Sequence, residues 1–416
     1  MTAQTILNIY LILFAIYVVI EVLLSLLNIR EAKSTNGKLP DFLIGQVEEE
    51  TFNRSVEYTL AKEKLALFSH FYLSIILLLL LCSGILGSTL HFFENIFGAS
   101  YTAAVFFILS LGLFFDIISW PLQLLMTFKV EASFGFNKMT LQLWISDKLK
   151  GYLLSIFISV PLLYAIFWFV DICGALWWVY AAALTISLNL LIVYVHPIWI
   201  APLFNKFTPL KDATLKEKIL SLAERLNFSL VDVFEMDGSK RSAHANAYFT
   251  GFGKNRRVVL FDTLCDLLKE NEILAVLAHE IGHMKKKHIL KGLILSCSIL
   301  VFSFWLIEFS LHYPNFFNAF GFDKPSSAAA LALLLFFSAP VVYFLTLSSA
   351  ILSRRFEYQA DAFAKVACNG SEDLANALIA LSKKSLSNYL PHPLYIFFHY
   401  THPPLRERLK ALREEQ

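Results

Sequence analysis

Seven stretches of this chain are apolar for long enough to cross a bilayer, and nothing else in the sequence constrains the fold as strongly. A spanning helix takes about 20 consecutive apolar residues. The stretches lie near 6–28, 65–87, 102–126, 151–171, 175–197, 289–311 and 328–351. Only 16% of the 416 residues are charged, against about 25% in soluble domains. That balance excludes a disordered chain and argues against an ordinary soluble enzyme. A net charge of +2 gives no reason to expect a nucleic-acid partner. The five cysteines, Cys82, Cys173, Cys265, Cys297 and Cys368, include no CxxC pair. They indicate neither a disulfide framework nor a thiolate zinc site and are expected as small core residues. The first apolar stretch has no basic start and no small-residue cleavage site after it, so it reads as a retained span and not a signal peptide.

Lysine and arginine orient the spans. Residues 1–5, the loop 88–101 and the link 172–174 carry none, and the loop 312–327 carries only Lys324. The loop 29–64 carries six, 127–150 four, 198–288 fourteen, and the tail 352–416 nine. The alternation is unbroken, so the N-terminus is expected outside and both large polar segments in the cytoplasm. Four parts follow: a five-span region 1–197, a polar segment 198–288, two further spans 289–351, and a C-terminal segment 352–416. Glu21, Asp116 and Asn189 lie inside spans. Such residues face a bundle interior or a cavity, or pair with a neighbouring helix.

In the polar segments, 212–227 has helical periodicity. Residues 231–238 read as a strand ending in a turn. The runs 244–250 and 256–262, around Gly251, Gly253, Lys254 and Asn255, read as a β-hairpin. A helix starts near Asn271 and runs almost directly into the sixth span. Further helices are predicted at 353–368 and 372–384. A last helix is predicted from Thr401-His402-Pro403-Pro404, with the prolines in its first turn.

His279-Glu280-Ile281-Gly282-His283 is an HExxH sequence. On a helix, residues four apart share a face, so both imidazoles reach one ion. Zinc suits such donors, and a catalytic site takes three protein ligands and keeps room for water. Glu280 flanks that face and can take a proton from the water. A third ligand follows from topology. His283 lies just before the sixth span and Glu357 just after the seventh, so a hairpin of spans returns both to one surface. Glu357 and Asp361 are four apart; one can bind the metal while the other holds a ligand imidazole. Both carboxylates could instead pair with Arg354 or Arg355. His288 is expected on a different face as an interfacial residue, His196 as structural, and His244 as a strand residue. His402, in a segment stiffened by prolines, could stabilise an oxyanion or simply start a helix.

With these residues in place, the sequence resembles the type I integral-membrane zinc CAAX prenyl proteases. The resemblance rests on EASFGFNK at 131–138, APLFNKFTPL at 201–210, KRSAHANAYFTGFGKNRRVVLFDTL at 240–264, AHEIGHMKKKH at 278–288, SRRFEYQADAFA at 353–364 and THPPLRERL at 401–409. It covers nearly the whole chain and is weakest before residue 125. It implies a mainly α polytopic membrane protein: seven transmembrane helices around an internal chamber, capped by a cytoplasmic zinc-metalloprotease domain with a small β-sheet. It implies His279, His283 and Glu357 as ligands of one Zn2+ per chain, Glu280 as the catalytic glutamate, and His402 and Arg408 near the active centre. Asn246, Ala247 and Tyr248 match an edge strand that pairs with an extended substrate. The substrate implied is a peptide or protein at the lipid bilayer, prenylated or similar, cut to release its C-terminal tripeptide and at a second, upstream site. The end of the chain, Leu412-Arg413-Glu414-Glu415-Gln416, shows no retrieval signal, and the loop 312–327 is short; both lead to the expectation of a bacterial inner-membrane member.

Two other readings remain on the residues alone. A quality-control protease without a lipid requirement would share every catalytic residue. A seven-span receptor or transporter would carry HExxH incidentally and need no metal. Intramembrane proteases of the site-two type place HExxH within an apolar span. Here Lys285, Lys286, Lys287 and His288 follow it at once, which sets the zinc at the membrane face.

Overall fold

The computed structural model describes residues 1–34, 37–251, 253 and 256–414. The apolar blocks fold as helices because lipid leaves the backbone no partner but itself. They are α1 (Ala3–Lys33), α2 (Glu49–Cys82), α3 (Ile85–Phe97), α4 (Tyr101–Leu124), α5 (Leu141–Ile172) and α6 (Trp177–Val195). The polar segment supplies α7 (Ala213–Arg225), α8 (Asp262–Cys265) and α9 (Glu270–Lys285). Then come α10 (His288–Leu311), α11 (Pro314–Ala319), α12 (Ser327–Phe337), α13 (Ala339–Ala367), α14 (Glu372–Lys384), α15 (Pro393–His399) and α16 (Leu405–Arg413). The chain is a mainly α, polytopic membrane protein.

Six of the expected spans are single helices of spanning length and composition, and the seventh is bent. The stretch 328–351 divides into α12 and α13, which meet at 59° around Ser338. Pro340 sits in the first turn of α13; it has no N–H to continue the ladder of α12, and its ring crowds the turn before it. After the bend α13 runs unbroken to Ala367, so the separate helix expected at 353–368 is its polar half. The second stretch ends early as well. Gly84 takes φ 70° and precedes α3, a conformation that costs glycine little. Helices α4 and α6 continue as π-helical turns, Leu125–Glu131 and His196–Ile200.

The span carboxylates are paired. Glu21 on α1 lies 2.9 Å from His70 Nε2 on α2, and Asp116 on α4 lies 2.8 Å from Lys148 Nζ on α5. Asn189 donates to Thr185 of its own helix and is exposed. The five cysteines are free, and none is fully buried; Cys82 sits exposed at the end of α2, not in a core. A cavity of about 840 Å³ lies among these elements. Tyr58, Lys62, Glu131, His244, His402 and Arg408 are among the residues that line it.

The polar segments build a second core around a four-stranded sheet. Its strands are β1 (Phe207–Pro209), β2 (Asp232–Met236), β3 (Ala247–Thr250) and β4 (Arg257–Phe261), in the order β1-β2-β4-β3. The predicted hairpin is the antiparallel pair β3–β4, with Tyr248 opposite Val259. Lys254 and Asn255 of its turn lie outside the described residues, as do Glu415 and Gln416 of the tail. Strand β2 pairs parallel with β4. The short β1 has no alternation long enough to be read from sequence. The expected last helix begins later than predicted: Pro404 is the cap residue of α16, and Thr401-His402-Pro403 precedes it. A proline pushes the residue before it out of the helical region, so consecutive prolines delay the start. The turn of helix at α15 was not anticipated.

Candidate metal centre

Helix α9 is built to be held by its neighbours. Glu272 accepts from the Lys269 N–H at 2.9 Å and caps its start. Ile273, Ala275, Leu277, Ala278 and Ile281 are buried. The small residues let α13 approach: a Cβ on Gly282 would lie 3.2 Å from the Cα of Ala360 and from the Cβ of Phe363. Only glycine accepts backbone this close without a shift. That approach sets the acidic face of α13 against the histidines of α9.

Three donor atoms converge there. Nε2 of His279 and Nε2 of His283 are 3.1 Å apart. Oε2 of Glu357 lies 3.5 Å from the first, and Oε1 lies 3.3 Å from the second. Tetrahedral zinc with bonds of about 2.0–2.1 Å sets its ligand atoms roughly 3.3 Å apart. The donor set, two imidazoles and a carboxylate, fits that ion in number, chemistry and spacing. Among the described residues, no other group of three His, Cys, Asp or Glu donors comes together in this way.

Around the donors lies a web of further bonds. Asp361 Oδ1 is 2.8 Å from His279 Nδ1. Arg408 donates twice to Asp361, at 2.9 and 2.6 Å, and its Nη1 is 3.4 Å from Glu357 Oε2. Nδ1 of His402 is 2.9 Å from the same Glu357 oxygen. Glu357, Asp361 and Arg408 are all buried. The competing pairing of these carboxylates with Arg354 is not what the structure holds. Arg354 instead donates to the carbonyls of Ile396, Phe397 and Tyr400 at the end of α15 and so anchors the segment that leads to His402. Burial pushes the Glu280 carboxyl up from its ordinary value. The bond to Glu357 raises His402. For Arg408, burial acts downward and the bond to Asp361 outweighs it, so the guanidinium stays charged.

Residues 28–206 match the family described as CAAX prenyl protease N-terminal, five membrane helices. Residues 209–416 match peptidase family M48. The chain belongs to peptidase family M48. It is 36% identical to "CAAX prenyl protease 1 homolog" of Arabidopsis thaliana over 389 residues, 91% of each chain. It is also 36% identical to "CAAX prenyl protease 1" of Saccharomyces cerevisiae, over 91% of this chain and 89% of that one. The human "CAAX prenyl protease 1 homolog" is 34% identical over 92% of this chain and 90% of its own. The crystal structure of S. mikatae Ste24p superposes with a TM-score of 0.91 at 33% identity, over the full length of both chains. These relatives are eukaryotic and give the expected bacterial origin no support. The M48 member described here is a zinc metalloprotease, so the receptor or transporter reading falls away. Its HExxH helix ends at Lys285, before the sixth span begins at His288, unlike a motif set in mid-span.

Other expected residues sort by position. Ala247 and Tyr248 lie in β3, an edge strand, and Asn246 precedes it. Asn246 accepts from Phe261 through its carbonyl at 3.0 Å. His244 is not in a strand: it stacks on Phe136 at 4.5 Å, and its Nε2 is 3.3 Å from Glu131. His196 starts a π-helical turn and is exposed. His288 is not interfacial. It is 4% exposed and faces His283. Lys287, at φ 57°, turns the chain between α9 and α10, and a helical wheel drawn through that residue misplaces everything after it.

Proposed function

We propose that this M48 peptidase cleaves membrane-associated proteins near a prenylated C-terminus, releasing the terminal tripeptide and cutting at a second, upstream site. One observation carries the reading: the convergence of His279, His283 and Glu357 at 3.1 to 3.5 Å. These three are proposed to hold one zinc ion per chain. When bound, the ion supplies a water of lowered pKa and polarises the scissile carbonyl. Glu280 would take a proton from such a water and pass it to the nitrogen of the leaving peptide; burial raises its proton affinity, which suits both halves of the task. Asp361 orients His279 through Nδ1. His402, on the wall of the cavity, donates to the carbonyl oxygen as it gains negative charge. Arg408 was expected near the active centre; its two hydrogen bonds to Asp361 and its contact with Glu357 favour holding those two carboxylates in place.

The substrate is proposed to add as a strand to the free edge of β3 at Asn246, Ala247 and Tyr248, where backbone bonds hold any sequence in register. The charge asymmetry of the loops supports a site on the cytoplasmic face of a multi-pass membrane protein. It also supports the division into a membrane region 1–197, a protease segment 198–288, spans 289–351 and a C-terminal segment 352–416. The test is a cleavage assay on the purified protein in detergent, with matched farnesylated and unmodified CAAX peptides and a chelator control. Chelator-sensitive, lipid-dependent release of the tripeptide is expected. Equal cleavage of both peptides would replace the prenyl requirement with the quality-control reading.

A further inference from the structure

His283 turns Nε2 toward His279 and Glu357. Its other nitrogen, Nδ1, lies 3.1 Å from Nδ1 of His288. Nε2 of His288 lies 2.9 Å from Oε1 of Gln359. The hydrogens along this chain follow from its far end. An amide oxygen only accepts, so His288 carries its hydrogen on Nε2 and donates to Gln359. A neutral imidazole protonated there keeps its lone pair on Nδ1. His288 Nδ1 therefore accepts, and His283 Nδ1 donates. The lone pair of His283 is left on Nε2, the atom that meets the other two donors.

We infer that His288 and Gln359 form a relay that fixes the tautomer and ring orientation of His283, making Nε2 its metal-binding atom. The inference rests on the reading of His283 as a zinc ligand. Both are positioning residues, and packing holds the relay still. The His288 ring is buried and stacks on Phe356 at 4.0 Å, with the planes 7° apart. Phe356 and Gln359 flank Glu357 on α13, so the helix that presents the third donor also anchors the relay. The left-handed Lys287 brings His288 back over α9. The two histidines are thus supported differently. His279 has a carboxylate partner at 2.8 Å, while His283 has a neutral imidazole and amide.

Three variants test this: His288→Phe keeps a ring on Phe356 and removes both bonds, Gln359→Met keeps length and removes the acceptor, and Gln359→Glu keeps an acceptor oxygen. Zinc affinity is measured by competition with a chromophoric chelator, and ligand geometry by the visible spectrum of the cobalt(II)-loaded protein. His288→Phe and Gln359→Met should bind zinc about 10–100-fold more weakly and shift the cobalt bands, and Gln359→Glu should restore both toward the parent. Parent affinity and spectrum in Gln359→Met would overturn the relay, and so would equal losses in Gln359→Met and Gln359→Glu, because packing alone would then account for them. His283→Ala separates the two readings: if that variant keeps zinc, the ligand assignment fails and not merely the relay.

Discussion

Among the described residues, two buried glutamates, Glu21 and Glu357, are flanked by histidines, and the metal centre is built on the second. Glu21, on α1, is 2.9 Å from His70 and 3.6 Å from His399, and Tyr343 also bonds to it. Glu357 has His279, His283 and His402 around it at 2.9 to 3.5 Å. Composition and burial are alike, since both glutamates are about 5% exposed or less. Geometry separates them. His279 and His283 are one helical turn apart, so their nitrogens reach the carboxylate from one face and also meet each other. His70 and His399 come from different elements and each pairs with its own oxygen of Glu21; among the described residues, only the His279, His283 and Glu357 donors gather closely enough to share one ion. Around Glu357 a further layer, Asp361, Arg408 and His288, holds the donors in place. A shared ion needs convergence and support; a buried carboxylate in a span needs only a partner.

The largest expected effects break this contrast at the metal centre. His283→Ala should bind no zinc when metal content is measured after purification; normal zinc in that variant would remove His283 from the ligand set. Glu280→Gln should keep its zinc and lose peptide cleavage by on the order of a hundredfold or more. Full turnover in that variant would end its role as proton acceptor. Next in size, Arg408→Leu leaves Asp361 buried without its guanidinium. It should destabilise the protein by roughly 3 kcal/mol, read from chemical denaturation in detergent. A smaller effect is expected at the helix contact. Gly282→Ala pushes α9 from α13 and should cost about 1–3 kcal/mol, with weakened zinc binding, because the donors sit on opposite sides of that contact. The smallest change sharpens the contrast from the other side. Glu21→Gln should leave zinc affinity unchanged and cost about 1 kcal/mol. A loss of zinc in Glu21→Gln would mean that the two clusters are coupled and that the distinction drawn between them is wrong.

Much of this was legible in the residues. Lipid forces helices onto long apolar blocks, so each span could be located, although α2 and α5 begin well before the apolar stretches they contain and α13 runs well past its own; the hairpin β3–β4 followed from its extended runs and glycines. The HExxH spacing puts His279 and His283 on one face wherever the helix lies, and the span hairpin brings Glu357 to them. Other features were not legible. The bend at Ser338 depends on whether neighbours tolerate the kink that Pro340 invites. The position of His288 turns on one left-handed residue, Lys287, whose conformation no periodicity predicts. Arg354 offered itself as a partner for Glu357 by spacing alone, yet its bonds go to carbonyls of a helix that the sequence did not reveal.

Periodicity and composition are properties of neighbours in the chain. By themselves they determined the membrane class, the two histidines on one face and the approach of α13. Which oxygen meets which nitrogen, and which groups hold them, is set by contacts between residues far apart in sequence. The close packing that Gly282 permits, the bidentate bond from Arg408 and the chain from Gln359 to His283 exist only once α9, α13 and α16 are packed together. The tertiary structure decided them because side-chain geometry at that scale depends on tenths of an ångström in helix separation, which no local pattern encodes.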